Sequence, residues 1–162
     1  MEKNKKLIKP KSILFVCTGN TCRSVMAKGL LLKALSEKKV KGINVESAGL
    51  SVFNNAPPAL ETINVTKEAG IDVSKEKSKS VTKSLLDKSD VVLVMEDMHK
   101  SEILERFPEA KGKVFLLSEY ISGGGPAREI LDPMGQSFNF YKKTFEEIKK
   151  YTDKLADILG NI

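Results

Sequence analysis

Two kinds of hydrophobic pattern alternate along this chain. Ser12-Ile-Leu-Phe-Val-Cys17 and Asp90-Val-Val-Leu-Val-Met95 are apolar at every interior position, as strands buried on both faces are. Ile43 to Ala48, closed by Gly49, and Lys113-Val-Phe-Leu-Leu117 predict two more strands. Between them the period changes. From Ser24 onward Met26, Leu30, Leu31, Ala34 and Leu35 recur at helical steps. A second helix is predicted from Pro57-Pro58 to Gly70, and a short one capped by Thr82 carries Leu85 and Leu86. Asp97 is positioned to cap a helix bearing Ile103 and Leu104, which ends before Pro108. After the fourth strand comes a loop containing Gly123, Gly124, Gly125, Pro126, Pro133 and Gly135. The last helix aligns Tyr141, Phe145, Ile148, Leu155 and Leu159 on one stripe. Alternating strands and helices predict an α/β fold: a three-layer sandwich with a central four-stranded parallel sheet and helices on both faces.

Composition narrows the function classes. A chain of 162 residues suits one domain whose core needs no metal or disulfide staple. No apolar run approaches the roughly 20 residues of a membrane span. Lys+Arg 27 against Asp+Glu 21 leaves +6, which invites an acidic or nucleic-acid partner until the charge is located. MEKNKKLIKPK, residues 1–11, holds five Lys and one Glu and so accounts for +4 of it. We therefore expect a basic tail over 1–11 and a nearly balanced domain over 12–162, which favours a solvated tail over a nucleic-acid arm. The tail lacks the apolar core of a secretion signal, so Cys17 and Cys22, the only cysteines, are expected to be thiols in a reducing cytoplasm. His99 is the only histidine, which leaves no metal cluster, and the reading requires no cofactor.

The chemistry gathers where the first strand gives way to the first helix. Ligands of parallel sheets bind beyond the carboxyl ends of the strands, and Cys17-Thr18-Gly19-Asn20-Thr21-Cys22-Arg23-Ser24 lies there. A loop of this length can wrap its backbone N–H groups around a tetrahedral dianion at a helix start. Gly19 is expected to supply a positive φ for that turn. Arg23 can grip two phosphate oxygens with its planar fork, leaving Cys17 beneath the phosphorus. A free thiol is only about 3% ionised at pH 7, and groups that hold a phosphate also favour a thiolate. Ser24 is placed to donate to the sulfur or to act as a plain helix cap. Asn20 either braces the loop or merely tolerates a left-handed turn.

Val16-Cys17-Thr-Gly-Asn-Thr-Cys-Arg-Ser24 resembles the signature loop of the low-molecular-weight protein tyrosine phosphatases. Ser47-Ala-Gly49, the strand ending in Met95, and Leu131-Asp-Pro-Met-Gly135 extend the resemblance from about residue 12 to the C-terminus. It implies that Cys17 is the nucleophile, that Asp132 is the general acid and base, and that phosphorylated proteins are the substrates. Met134 would form a substrate wall, although the family commonly has an aromatic residue there. Thr21 stands where tyrosine-directed members commonly carry a larger aliphatic. Together with Phe115 to Tyr120, it looks like the bacterial protein arginine phosphatases, unless Thr21 is only a spacer. Val25 replaces a common Pro, and Lys28 replaces a common acid, which would add positive charge near the site. Alternatives are a tyrosine phosphatase, a glutathione-coupled arsenate reductase, and a phosphoprotein-binding module without turnover. Cys22 suggests capture of oxidised Cys17 as a disulfide, or simple packing under the loop.

Overall fold

The computed structural model describes residues 9–162. Its sheet holds β1 (Ser12–Cys17), β2 (Asn44–Gly49), β3 (Val91–Val94) and β4 (Val114–Leu116), all parallel in the order β2-β1-β3-β4. The helices are α1 (Arg23–Glu37), α2 (Leu60–Glu68), α3 (Lys83–Lys88), α4 (Asp97–Arg106), α5 (Leu117–Ser122) and α6 (Phe138–Gly160). Strand pleating sorts the apolar runs into two cores. Ile13, Phe15, Cys17, Leu93 and Met95 pack with α1 and α6, whereas Leu14, Val16, Val92 and Val94 pack with Leu86 of α3 and Ile103 of α4. This is why β1 and β3 read as unbroken apolar runs: each must satisfy a core on either side. The predicted stripe of α6 is buried throughout, from Tyr141 to Leu159.

Several boundaries differ from those expected. Helix α1 begins at Arg23 with Cys22 as its N-cap, so Ser24 lies inside the first turn and is not the cap. Helix α2 starts only at Leu60, after Ala59 as its non-helical N-cap (φ −55°, ψ 144°), whose N–H donates to the carbonyl of Thr21 (3.1 Å). Strand β4 stops at Leu116, and the apolar residues that follow begin α5, which ends on Gly123 in the left-handed region (φ 65°). A six-residue helix carries too little periodicity to separate from the strand before it. Pro10 is buried, and Lys11 N–H donates to Asp90 Oδ2 (2.8 Å) while its carbonyl accepts from Asn44 N–H (2.8 Å). Of the expected tail 1–11, residues 1–8 lie outside the described part. Among the described residues no helix is long and apolar enough to cross a membrane.

Candidate active site

All four strands point their carboxyl ends at one edge, and the loop leaving Cys17 lies there beside Gly49, its neighbour in register. Gly49 is required by close approach: a Cβ there would sit 2.6 Å from the carbonyl oxygen of Thr18 and 3.0 Å from Asn20 N. The left-handed turn falls on Asn20 (φ 55°), whereas Gly19 is not in the positive-φ region, contrary to expectation. Hydrogen bonds make that conformation tolerable for Asn20. Its Oδ1 accepts from Lys79 N–H (3.0 Å), and its Nδ2 donates to Ser24 Oγ (2.8 Å) and Ser47 Oγ (3.0 Å). Both readings of Asn20 therefore hold.

This network also orients Ser24. A backbone N–H can only donate, so Lys79 fixes which end of the Asn20 amide is oxygen. Ser24 Oγ must then accept from Nδ2, and its own proton remains available to Cys17 Sγ, 3.0 Å away. Cys22 differs: its thiol faces the α1–α6 core and lies 3.8 Å from Tyr141 Oη. Burial pushes the Cys22 thiol up, only partly offset by the hydroxyls of Thr62, Thr21 and Tyr141. Both cysteines are free.

Arg23 closes the far side of the loop and is 1% exposed. Its Nη1 donates to Glu96 Oε2 (2.7 Å) and to the carbonyl of Ile130 (2.7 Å), and its Nη2 lies 3.7 Å from Asp132 Oδ2. A buried guanidinium needs such partners, because an unpaired buried charge costs several kcal/mol. The Asp132 loop is tethered by Ile130 N–H, which donates to the carbonyl of Met95 at the end of β3 (2.9 Å). Asp132 Oδ1 accepts from Met134 N–H (3.0 Å), so Oδ2 is the oxygen turned toward Arg23. Two segments more than a hundred residues apart thus converge. Met134 is exposed beside Asp132, and Thr21 is half-buried in the loop.

Glu96 and His99 were not expected in the site. Glu96 follows Met95 at the carboxyl edge of β3, a position that could have suggested it. His99 is buried; its Nδ1 accepts from Glu96 N–H (3.1 Å), and its Nε2 lies 2.9 Å from Thr18 Oγ1. Burial, reinforced by Arg23, holds the imidazole neutral with its pKa lowered to about 4, despite Glu96 and Asp132. Lys28 does not add free charge here, since it pairs with Glu76 (3.1 Å) and Glu46 (3.9 Å).

A Cys and an Arg with five residues between them around a helix start, faced by a carboxylate on a separate loop, define a phosphoryl-transfer site of the cysteine phosphatase type. Residues 12–161 match the low molecular weight phosphotyrosine protein phosphatase family, and the chain belongs to it. It is 39% identical over 150 residues to a protein-arginine-phosphatase of Geobacillus stearothermophilus, covering 93% of this chain and 97% of that one. The solved structure of the YwlE arginine phosphatase from Geobacillus stearothermophilus superimposes with a TM-score of 0.85, at 39% identity and 93% coverage of each chain. A low molecular weight protein tyrosine phosphatase from T. tengcongensis gives a TM-score of 0.83 at 38% identity, covering 91% of this chain and 98% of that one.

Proposed function

We propose that this enzyme hydrolyses phosphoarginine on proteins through a cysteinyl-phosphate intermediate. The observation that carries the phosphatase reading is the convergence of Cys17, Ser24 and Arg23 of one loop with Asp132 of another. The Cys17 thiolate attacks phosphorus in line, forming the S–P bond as the bond to the leaving nitrogen breaks. Asp132 in its acid form gives that nitrogen a proton. The resulting carboxylate then takes a proton from water, whose oxygen attacks phosphorus and returns the thiolate with release of inorganic phosphate. Arg23 and the N–H groups of residues 18–24 hold the equatorial oxygens throughout. Ser24 supports the thiolate as leaving group in the second step.

Identity alone does not choose the substrate, because the arginine and tyrosine phosphatase relatives stand at 39% and 38%. Thr21 favours phosphoarginine. Its hydroxyl suits a polar phosphoguanidinium, where a larger aliphatic would line a slot for a phenyl ring. Met134, in place of an aromatic wall, offers no ring for stacking on phosphotyrosine. Two free thiols fit a reducing, cytoplasmic setting. The test is kcat/KM on matched phosphoarginine and phosphotyrosine peptides, with Thr21→Ile beside the wild type. A phosphoarginine preference that Thr21→Ile weakens is expected; equal or better phosphotyrosine turnover by the wild type rejects the assignment.

A further inference from the structure

The catalytic steps leave a buried histidine unused. His99 is 1% exposed, sits in the first turn of α4, and reaches across the sheet edge to the residue that follows the nucleophile. Its hydrogen bonds fix its chemistry. Glu96 N–H can only donate, so Nδ1 must accept, and a neutral imidazole then carries its single proton on Nε2. That proton faces Thr18 Oγ1 at 2.9 Å, with Glu96 Oε2 3.6 Å from the same nitrogen.

Among the described residues Thr18 is otherwise held only by its backbone, its carbonyl accepting from Ser51 N–H (2.9 Å). Cys17 is tied in the same way, its carbonyl accepting from Leu50 N–H (3.1 Å). Both bonds lie on the side of the loop facing the segment after β2. The imidazole is the one side-chain bond given to Thr18 among the described residues, and it comes from the side of β3. Glu96 connects it to the rest of the site: its backbone sets the His99 tautomer while its carboxylate holds Arg23 at 2.7 Å. One two-residue device thus touches the loop at its first residue and at its arginine.

We propose that His99 is a positioning residue of the phosphate-binding loop, acting through a tautomer-fixed Nε2–H bond to Thr18, while Glu96, whose N–H fixes that tautomer, holds Arg23. The proposal rests on the phosphatase reading for its purpose, but it concerns phosphate binding, which is measurable without turnover. A charged imidazole could not serve, because a proton on Nδ1 would oppose the Glu96 N–H. Burial next to Arg23 prevents that charge near neutral pH.

A purely structural role, closing the first turn of α4, makes a different prediction, and two replacements separate them. Asn at 99 places an acceptor near the Nδ1 position but is too short for Thr18. Gln places a donor near the Nε2 position. The probe is inorganic phosphate, titrated calorimetrically into wild type, His99→Asn, His99→Gln, Thr18→Val and the double variant His99→Asn/Thr18→Val, with Tm recorded for each. We expect His99→Asn and Thr18→Val each to weaken phosphate binding about tenfold, the scale of one buried hydrogen bond. His99→Gln should stay within about threefold of wild type, and the double variant should be little worse than either single one. The proposal is overturned if His99→Asn lowers Tm but leaves phosphate affinity unchanged, if Gln and Asn weaken it equally, if the two losses simply add, or if the wild type shows no saturable phosphate binding. Failure of the phosphatase reading looks different: phosphate binds as expected, yet neither phosphopeptide is hydrolysed.

Discussion

The two halves of the site are held very differently. Residues 17–24 form a loop whose polar side chains are spoken for: Asn20 makes three hydrogen bonds, Ser24 two, and Arg23 is buried on Glu96 and Ile130. The Asp132 segment is exposed and rich in glycine, tethered at Ile130 and where Arg128 N–H donates to Ser118 Oγ (2.7 Å). Asp132 itself is 43% exposed and stands 3.7 Å from the guanidinium. The contrast follows from the chemistry. Charge stabilisation works through donors fixed before the substrate arrives, whereas a proton donor must follow leaving groups of different shape.

Substitutions can break this comparison or sharpen it. Apart from removal of the nucleophile itself, the largest loss is expected for Arg23→Lys, which keeps the charge but not the planar fork. It should lower kcat/KM on phosphopeptides on the order of 10³-fold, and a loss under tenfold would mean the fork is not what holds phosphate. Asp132→Asn should lower kcat by about 10²–10³-fold while leaving inorganic phosphate binding and Tm close to wild type, as an exposed loop residue requires. A large Tm drop would show that the second half is as rigidly built as the first. Asn20→Ala should do the reverse in kind. Activity falls about 10–10²-fold, and stability falls by about 1–3 kcal/mol because Lys79 N–H and two serines lose a buried partner. Thermal unfolding beside kcat distinguishes the two patterns.

The last expected effect concerns pH and stability, with no change in the chemistry. His99 is neutral in the fold, with a pKa of about 4 against 6.5 for a free imidazole. Between those values the unfolded chain takes up a proton that the folded chain refuses. The stability this group contributes is therefore complete above 6.5 and is lost progressively as pH falls toward 4, on the order of 3 kcal/mol in all. Denaturant titrations across that range should show a flatter pH slope for His99→Gln than for wild type; identical slopes would mean that His99 is not the group responsible.

How far the sequence could be read depended on whether the deciding contacts were local. β1 and β3 were legible because burial on both faces leaves no polar position, and α6 because one stripe of a long helix must be apolar. The Cys17–Arg23 loop was legible because its function needs particular residues at fixed spacing within one turn. Gly19 was misjudged: the left-handed position went to Asn20, stabilised by Lys79 and Ser47, residues distant in sequence. Glu96 and His99 stayed hidden for the same reason. Nothing in a polar stretch after Met95 says that β3 lies next to β1, and only that adjacency brings Thr18 and Arg23 within reach. Lys28 was misjudged because Glu46 and Glu76, which compensate it, come from β2 and a later loop.

The most direct test of the account is a rapid-quench reaction of wild type and Cys17→Ser with a phosphoarginine peptide, read by intact mass and by peptide mapping under conditions that preserve thiophosphate. The account predicts a transient phosphoryl adduct on Cys17 that forms as peptide is dephosphorylated and decays as inorganic phosphate appears, with phosphate release by Cys17→Ser at least about 10⁴-fold slower. Phosphate release by Cys17→Ser at a rate near wild type, or steady turnover with no adduct on Cys17, would contradict it.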